Sequence, residues 1–149
     1  MVVVAGIAVF TVIALCGLLG FAGMSSIASN IPFPGSCETT VTTWVNDSTE
    51  VIRDLTSSAE QGGNADFSAG IRYVVSAKNK YNSMTPPSCD EDAMNMHNSM
   101  KQVLNLTHES LQDADSGNYA SAASKARIAS ELANDWPNTI SILERRYIK

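Results

Sequence analysis

An all-helical protein, laid out as one N-terminal transmembrane helix followed by an up-down-up-down four-helix bundle, is the fold class this sequence predicts. Three observations lead there. No Asp, Glu, Lys or Arg occurs before Glu38, so every charged side chain lies beyond it. Past that point apolar residues recur at steps of three and four, with no strand-like alternation to rival them. Gly and Pro clusters at Gly62–Gly63, Pro86–Pro87 and Gly117 cut this pattern into pieces of helix length.

The first element is the run from Val2 to Met24, VVVAGIAVFTVIALCGLLGFAGM, unbroken by any charge. At helical rise it reaches roughly 35 Å, against a hydrocarbon core of about 30 Å. Lipid offers the backbone no hydrogen-bonding partner, so the run must close its own bonds as a helix. We expect a transmembrane helix over 1–30, a Pro/Gly linker over 31–37 containing IPFPG, and a helical domain over 38–149. A removable signal would open with Lys or Arg, and none is present. A lipid-modified Cys16 is disfavoured by the bulky Leu15 before it and by the membrane-like sequence after it. Gly17, Gly20 and Gly23 leave the helix surface thin enough for a second helix to approach, and mark the expected membrane contact.

Four helical patterns follow. The first sets Val41, Trp44, Val45, Ile52, Leu55 and Ala59 on one face. The second starts near Asp66 and carries Phe67, Ile71, Val74, Ala77, Tyr81 and Met84. The third is capped by Ser88 or Asp90, with Asp90, Glu91 and Asp92 suiting the positive end of its dipole. Its face holds Ala93, Met96, Met100, Val103, Leu104, Thr107 and Leu111. The fourth runs from Tyr119 through Ala122, Ala126, Ala129, Ala133 and Trp136; Pro137 kinks or restarts it, and Ile140, Leu143 and Tyr147 continue the face. The stretch Ser116–Ala122 resembles the turn and helix start of tetratricopeptide-type hairpins. No period of about 34 residues accompanies it, so it reads as local hairpin chemistry.

Short connections make successive helices antiparallel neighbours. Cys37, before the first helix, and Cys89, opening the third, therefore fall at the same end and are expected to pair. The bond closes a loop of about 52 residues and adds roughly 4 kcal/mol in the chain-entropy picture. A structural disulfide belongs in an oxidising compartment, which places the domain on the extracytoplasmic side. The same topology returns Arg145, Arg146 and Lys149 to the membrane end, where lipid headgroups are one expected partner and the helix dipole is the other.

Charge and motifs narrow the function classes. The net charge is −5 and the basic residues are scattered, which excludes the concentrated positive footprint that nucleic acid requires. There is no Gly-x-Ser-x-Gly, His-Glu-x-x-His, Cys-x-x-Cys-His or phosphate-loop motif, so no enzyme and no cofactor are expected. Met94, Met96, His97 and Met100 combine thioether and imidazole groups of the kind that suits Cu(I). On one helix they cannot all converge; Met96 and Met100 fit the core, with Met94 and His97 at its boundary. His108 lies roughly 16 Å along from His97 and cannot share an ion with it.

The expected function is a non-catalytic accessory or structural subunit of a larger membrane assembly. Its partners are the bilayer and other transmembrane subunits, or copies of itself, through the N-terminal helix. Two alternatives are an extracytoplasmic Cu(I)-binding module and a self-assembling surface filament subunit. The general layout resembles that of pilin-like subunits, although Ala5 stands where their N-terminal region carries a glutamate.

Overall fold

The computed structural model describes residues 36–148. The anchor predicted over 1–30, the linker up to residue 35, the glycines 17, 20 and 23, and Lys149 lie outside the described residues. Within them every regular element is a helix, and none is long and apolar enough to cross a membrane. The helices are α1 (Cys37–Gly63), α2 (Phe67–Ser83), α3 (Glu91–Asp115), α4 (Tyr119–Ala133) and α5 (Trp136–Tyr147).

Each begins where the local chemistry stops the preceding turn. Ser36 Oγ accepts the Thr39 N–H and caps α1; Asp66 and Asp90 do the same for Ala69 in α2 and Ala93 in α3. Pro86 and Pro87 cannot extend a helix, and the chain crosses from α2 to α3 there. The predicted fourth helix is two. The chain breaks at Asn134–Asp135 and restarts at Trp136, because Pro137 has no N–H to donate and fits only the first turn of a new helix.

The first four helices run antiparallel to their neighbours in sequence. α5 continues the direction of α4, since Trp136 meets Ser99 on α3 and Arg146 meets Asp90 at its cap. Ser58 meets Gly70 and Asp54 meets Ser76 across α1 and α2, while Ser110 meets Ala122 and Ser99 meets Leu132 across α3 and α4. α2 packs on both α1 and α3, α4 packs on α3, and α5 packs on both α1 and α3. The core is one continuous cluster, with Val41, Trp44, Val51, Val74, Met100, Leu104, Leu111, Ile140 and Leu143 all but inaccessible. The apolar faces predicted for α1 and α3 are buried throughout; in α2, Phe67 and Ile71 are only partly covered.

The two hairpins are register-matched copies, a feature the sequence patterns did not reveal. Cys37 and Cys89 are separated by 52 residues, and features of α1–α2 recur in α3–α4 at that same offset without a gap. Ser58 Oγ donates to the Gly70 carbonyl, and Ser110 Oγ donates to the Ala122 carbonyl. Each turn pivots on a residue in the left-handed region, Ala65 at φ 61° and Gly117 at φ 81°. The turns match bond for bond. The Ala65 N–H donates to Gly62 O as Gly117 N–H donates to Ala114 O, and the Asp66 N–H donates to Gln61 O as Asn118 N–H donates to Asp113 O. An aromatic residue then opens the second helix of each pair, Phe67 or Tyr119. The copies part company at their ends: α2 touches the first helix of both pairs, whereas α4 stays on α3 and α5 takes up the contact with α1.

Candidate functional site

One group of polar contacts lies at the end where α1 and α3 begin. Cys37 and Cys89 are bonded there at 2.10 Å, with their Cα atoms 5.7 Å apart. The pairing predicted from topology is therefore present, and it joins equivalent positions of the two hairpins.

Asp90 follows directly and is the hub of this end. Its side chain is only 3% exposed, and it takes three different donors. Oδ1 accepts the Ala93 N–H at 2.9 Å; Oδ2 accepts Arg146 Nη1 at 2.5 Å and the Tyr147 hydroxyl at 2.8 Å. Arg146 reaches on to Asp92 at 3.0 Å, so its guanidinium bridges two carboxylates. Burial pushes the Asp90 carboxyl up, but the Ala93 N–H, the Tyr147 hydroxyl and Arg146 outweigh it and hold the group below its ordinary value. The Tyr147 hydroxyl also lies 3.8 Å from Cys37 Sγ. Asp90 thus caps α3 and latches the last turn of α5 beside the disulfide.

About two helical turns further in, α1, α2 and α3 meet at His97. Trp44 Nε1 on α1 donates to His97 Nδ1 at 3.1 Å. Tyr81 on α2 stacks on the imidazole, ring centres 4.6 Å apart and planes at 21°, and its hydroxyl donates to the His97 carbonyl at 3.2 Å. Trp44 Nε1 can only donate, so Nδ1 is the acceptor and the neutral ring carries its proton on Nε2. Burial and the Lys101 cation lower the His97 pKa from its ordinary value. The placement of His97 at the core boundary is corrected here: the residue is 6% exposed. Trp44 pairs with the ring and the Tyr81 hydroxyl with the backbone carbonyl of the same residue, so the imidazole is not left unpaired, which would be costly at this burial.

The remaining residues singled out by sequence divide as follows. Met96 and Met100 are core residues, at 3% and 0% exposure, and Met94 is half-buried. Met96 and Met100 belong to the core cluster, and His97 Nδ1 accepts the Trp44 N–H. Among the described residues no three His, Cys, Asp or Glu side chains come together to hold a metal ion. Of the C-terminal basic residues, Arg146 is committed to Asp90 and Asp92, while Arg145 is exposed, its Nε donating to the Ser141 carbonyl at 3.2 Å. His108 stands apart from His97, with Nδ1 3.5 Å from Lys78 Nζ.

Asp90 was foreseen as a helix cap but not as the seat of a latch, and Tyr81 and Trp44 were foreseen only as apolar surface. The signal present in the sequence was a polar atom, indole N–H or phenol, on an otherwise apolar helical face. Such an atom needs a partner once buried.

Comparison with known proteins finds no matching family model, no matching curated protein and no matching solved structure.

Proposed function

We propose that this chain is a membrane-anchored, non-catalytic accessory subunit whose helical domain stands on the extracytoplasmic side and acts by contact with other membrane components. The observation that supports this reading best is a convergence at one end of the domain. The uncharged run Val2–Met24 leads through Ile31–Gly35 to Ser36, the cap of α1. That same end carries the Cys37–Cys89 bond and the α5 latch. The domain is therefore stapled where its tether enters, so that strain on the anchor meets a covalent crosslink before it reaches the core. The polar groups at this end serve structure: Asp90 is saturated by Ala93, Arg146 and Tyr147, and His97 Nδ1 is taken by Trp44. Contact through the N-terminal helix, with Gly17, Gly20 and Gly23 as its thin surface, is the route to partners.

Affinity purification of the full chain in mild detergent tests this. The expected outcome is co-purification of other membrane subunits in fixed proportion, and recovery of the chain alone as a monomer would overturn it. Recovery as long homopolymers shed from the cell surface would replace the accessory role with the filament one.

A further inference from the structure

We propose that His97 is an acid-released pin that joins α1, α2 and α3: the neutral imidazole holds the three helices together, and its protonation lets α1 part from α3. The argument begins with donor and acceptor counts. Trp44 Nε1 has a hydrogen to give and no lone pair to offer, so the 3.1 Å contact with His97 Nδ1 exists only while Nδ1 is unprotonated. An imidazolium carries N–H on both nitrogens. No rotation of that ring about its own plane restores an acceptor to Trp44, so the bond turns from attraction into a clash of two donors.

No carboxylate acts on the ring to offset the added proton, and the one attraction an imidazolium gains is to the face of Tyr81. From α1 the ring faces the Trp44 indole, which is uncharged and sits edge-on with centres 6.3 Å apart. From α2 it faces Tyr81, a phenol whose own ionisation is pushed up by burial and which stays neutral through the acid range. From α3 the charge that acts on it is Lys101, a cation. The sign follows from this. A histidine whose folded-state value lies below its ordinary one contributes stability that is complete above about 6.5 and is lost as the pH falls through the lowered folded value.

The internal repeat sharpens the assignment. The position equivalent to His97 in the first hairpin is Val45, also buried, at 3% exposure. An apolar residue therefore satisfies this place in the helix pattern, and a titratable ring there adds a property that packing did not require. Release is also bounded. The Cys37–Cys89 bond lies at the starts of the same two helices, so α1 and α3 remain tied at that end when the pin opens. The Asp90 latch with Arg146 and Tyr147 holds its carboxylate below the ordinary value of 3.8, so the latch persists at and above that pH.

The test is a pH titration of the full chain in detergent micelles, carried out in a Trp136→Phe background so that Trp44 alone reports. The indole N–H resonance and emission of Trp44 are followed together with the imidazole nitrogens of His97 and the thermal midpoint. We expect the Trp44 signals and the His97 nitrogens to change with one shared midpoint below 6.5, and Tm to fall by roughly 5 °C across that window, the size set by one buried hydrogen bond. His97→Asn keeps an acceptor oxygen near the Nδ1 position and cannot titrate in this range; there the Trp44 signals stay level, and the fall in Tm shrinks to the part that His108, also lowered by burial and Lys78, contributes. A Trp44 transition that survives in His97→Asn overturns the proposal. If that variant does not fold, the unsubstituted His97 decides alone: a midpoint at or above 6.5, or one that Trp44 does not share, also overturns it.

Discussion

Ala65 and Gly117 do the same work in their respective turns, reversing the chain from the first helix of a hairpin into the second with positive φ. Glycine adopts that conformation freely, whereas a residue with a Cβ does so at a cost of about 1–2 kcal/mol. The first hairpin therefore carries strain that the second avoids. Substituting Ala65→Gly should stabilise the domain by about 0.5–1 kcal/mol after the extra chain entropy of glycine is set against the relief. Gly117→Ala should destabilise it by about 1 kcal/mol, and through the backbone alone, because a Cβ there meets nothing within 4 Å. Denaturant titration of the two variants reads both signs, and equal shifts in the same direction would refute the equivalence of the turns. Part of this was legible in the sequence: Gly117 reads as a helix break, and Asp66 and Asn118 as turn residues. Ala65 was not legible. Alanine favours helix interiors, and only the match to Gly117 at the shared offset exposes its role.

At the scale of the helices, the hairpins are each clamped by a buried serine. Ser58 and Ser110, both fully buried, donate to a backbone carbonyl on the facing helix at 2.9 and 2.8 Å. Gly70 permits the closer approach in the first pair, since a Cβ there would stand 3.1 Å from both Leu111 Cδ2 and the Ser58 carbonyl. Ser58→Ala and Ser110→Ala should each cost about 1–1.5 kcal/mol by chemical denaturation. Gly70, held by Ser58, lies against Leu111 beside Ser110, so the double variant should depart from their sum by about 0.5 kcal/mol or more; strict additivity would mean the hairpins act as separate units. The sequence disclosed these helices through their apolar periodicity, including every buried position predicted for α3. It concealed the repeat, because a helix face accepts almost any apolar residue and so preserves little identity. The identities that persist at this offset are Ser36 and Ser88, Cys37 and Cys89, Asn46 and Asn98, Val51 and Val103, Ser58 and Ser110, Ala77 and Ala129, and Asn82 and Asn134. It also left open whether Pro137 bends the fourth helix or restarts it, which the packing of Trp136 against Ser99 decides.

For the molecule as a whole, the disulfide is the constraint that no helix supplies. Core burial holds α1 to α2 and α3 to α4, whereas α1 and α3 are joined chiefly through α2, α5, the His97 layer and the Cys37–Cys89 bond. Closing a loop of 52 residues is worth about 4 kcal/mol in the chain-entropy picture. The Cys37→Ser/Cys89→Ser variant should lose roughly that much stability, and dithiothreitol should lower the unsubstituted chain to the same level. This pairing was predictable because topology alone brought both cysteines to one end. The Asp90–Arg146–Tyr147 latch was not, because it depends on where the restarted α5 lands. The disulfide and the apolar run Val2–Met24 together carry the central claim, that an oxidised helical domain is tethered on the extracytoplasmic face. The direct measurement is protease treatment of intact cells, followed by alkaline extraction of the membranes and detection of both ends of the chain on a non-reducing gel. The account predicts that the domain is cleaved from outside while the N-terminal fragment stays in the extracted membrane, and that the uncleaved chain runs as the oxidised form. A domain shielded until the cells are broken, with Cys37 and Cys89 recovered as free thiols, would contradict it.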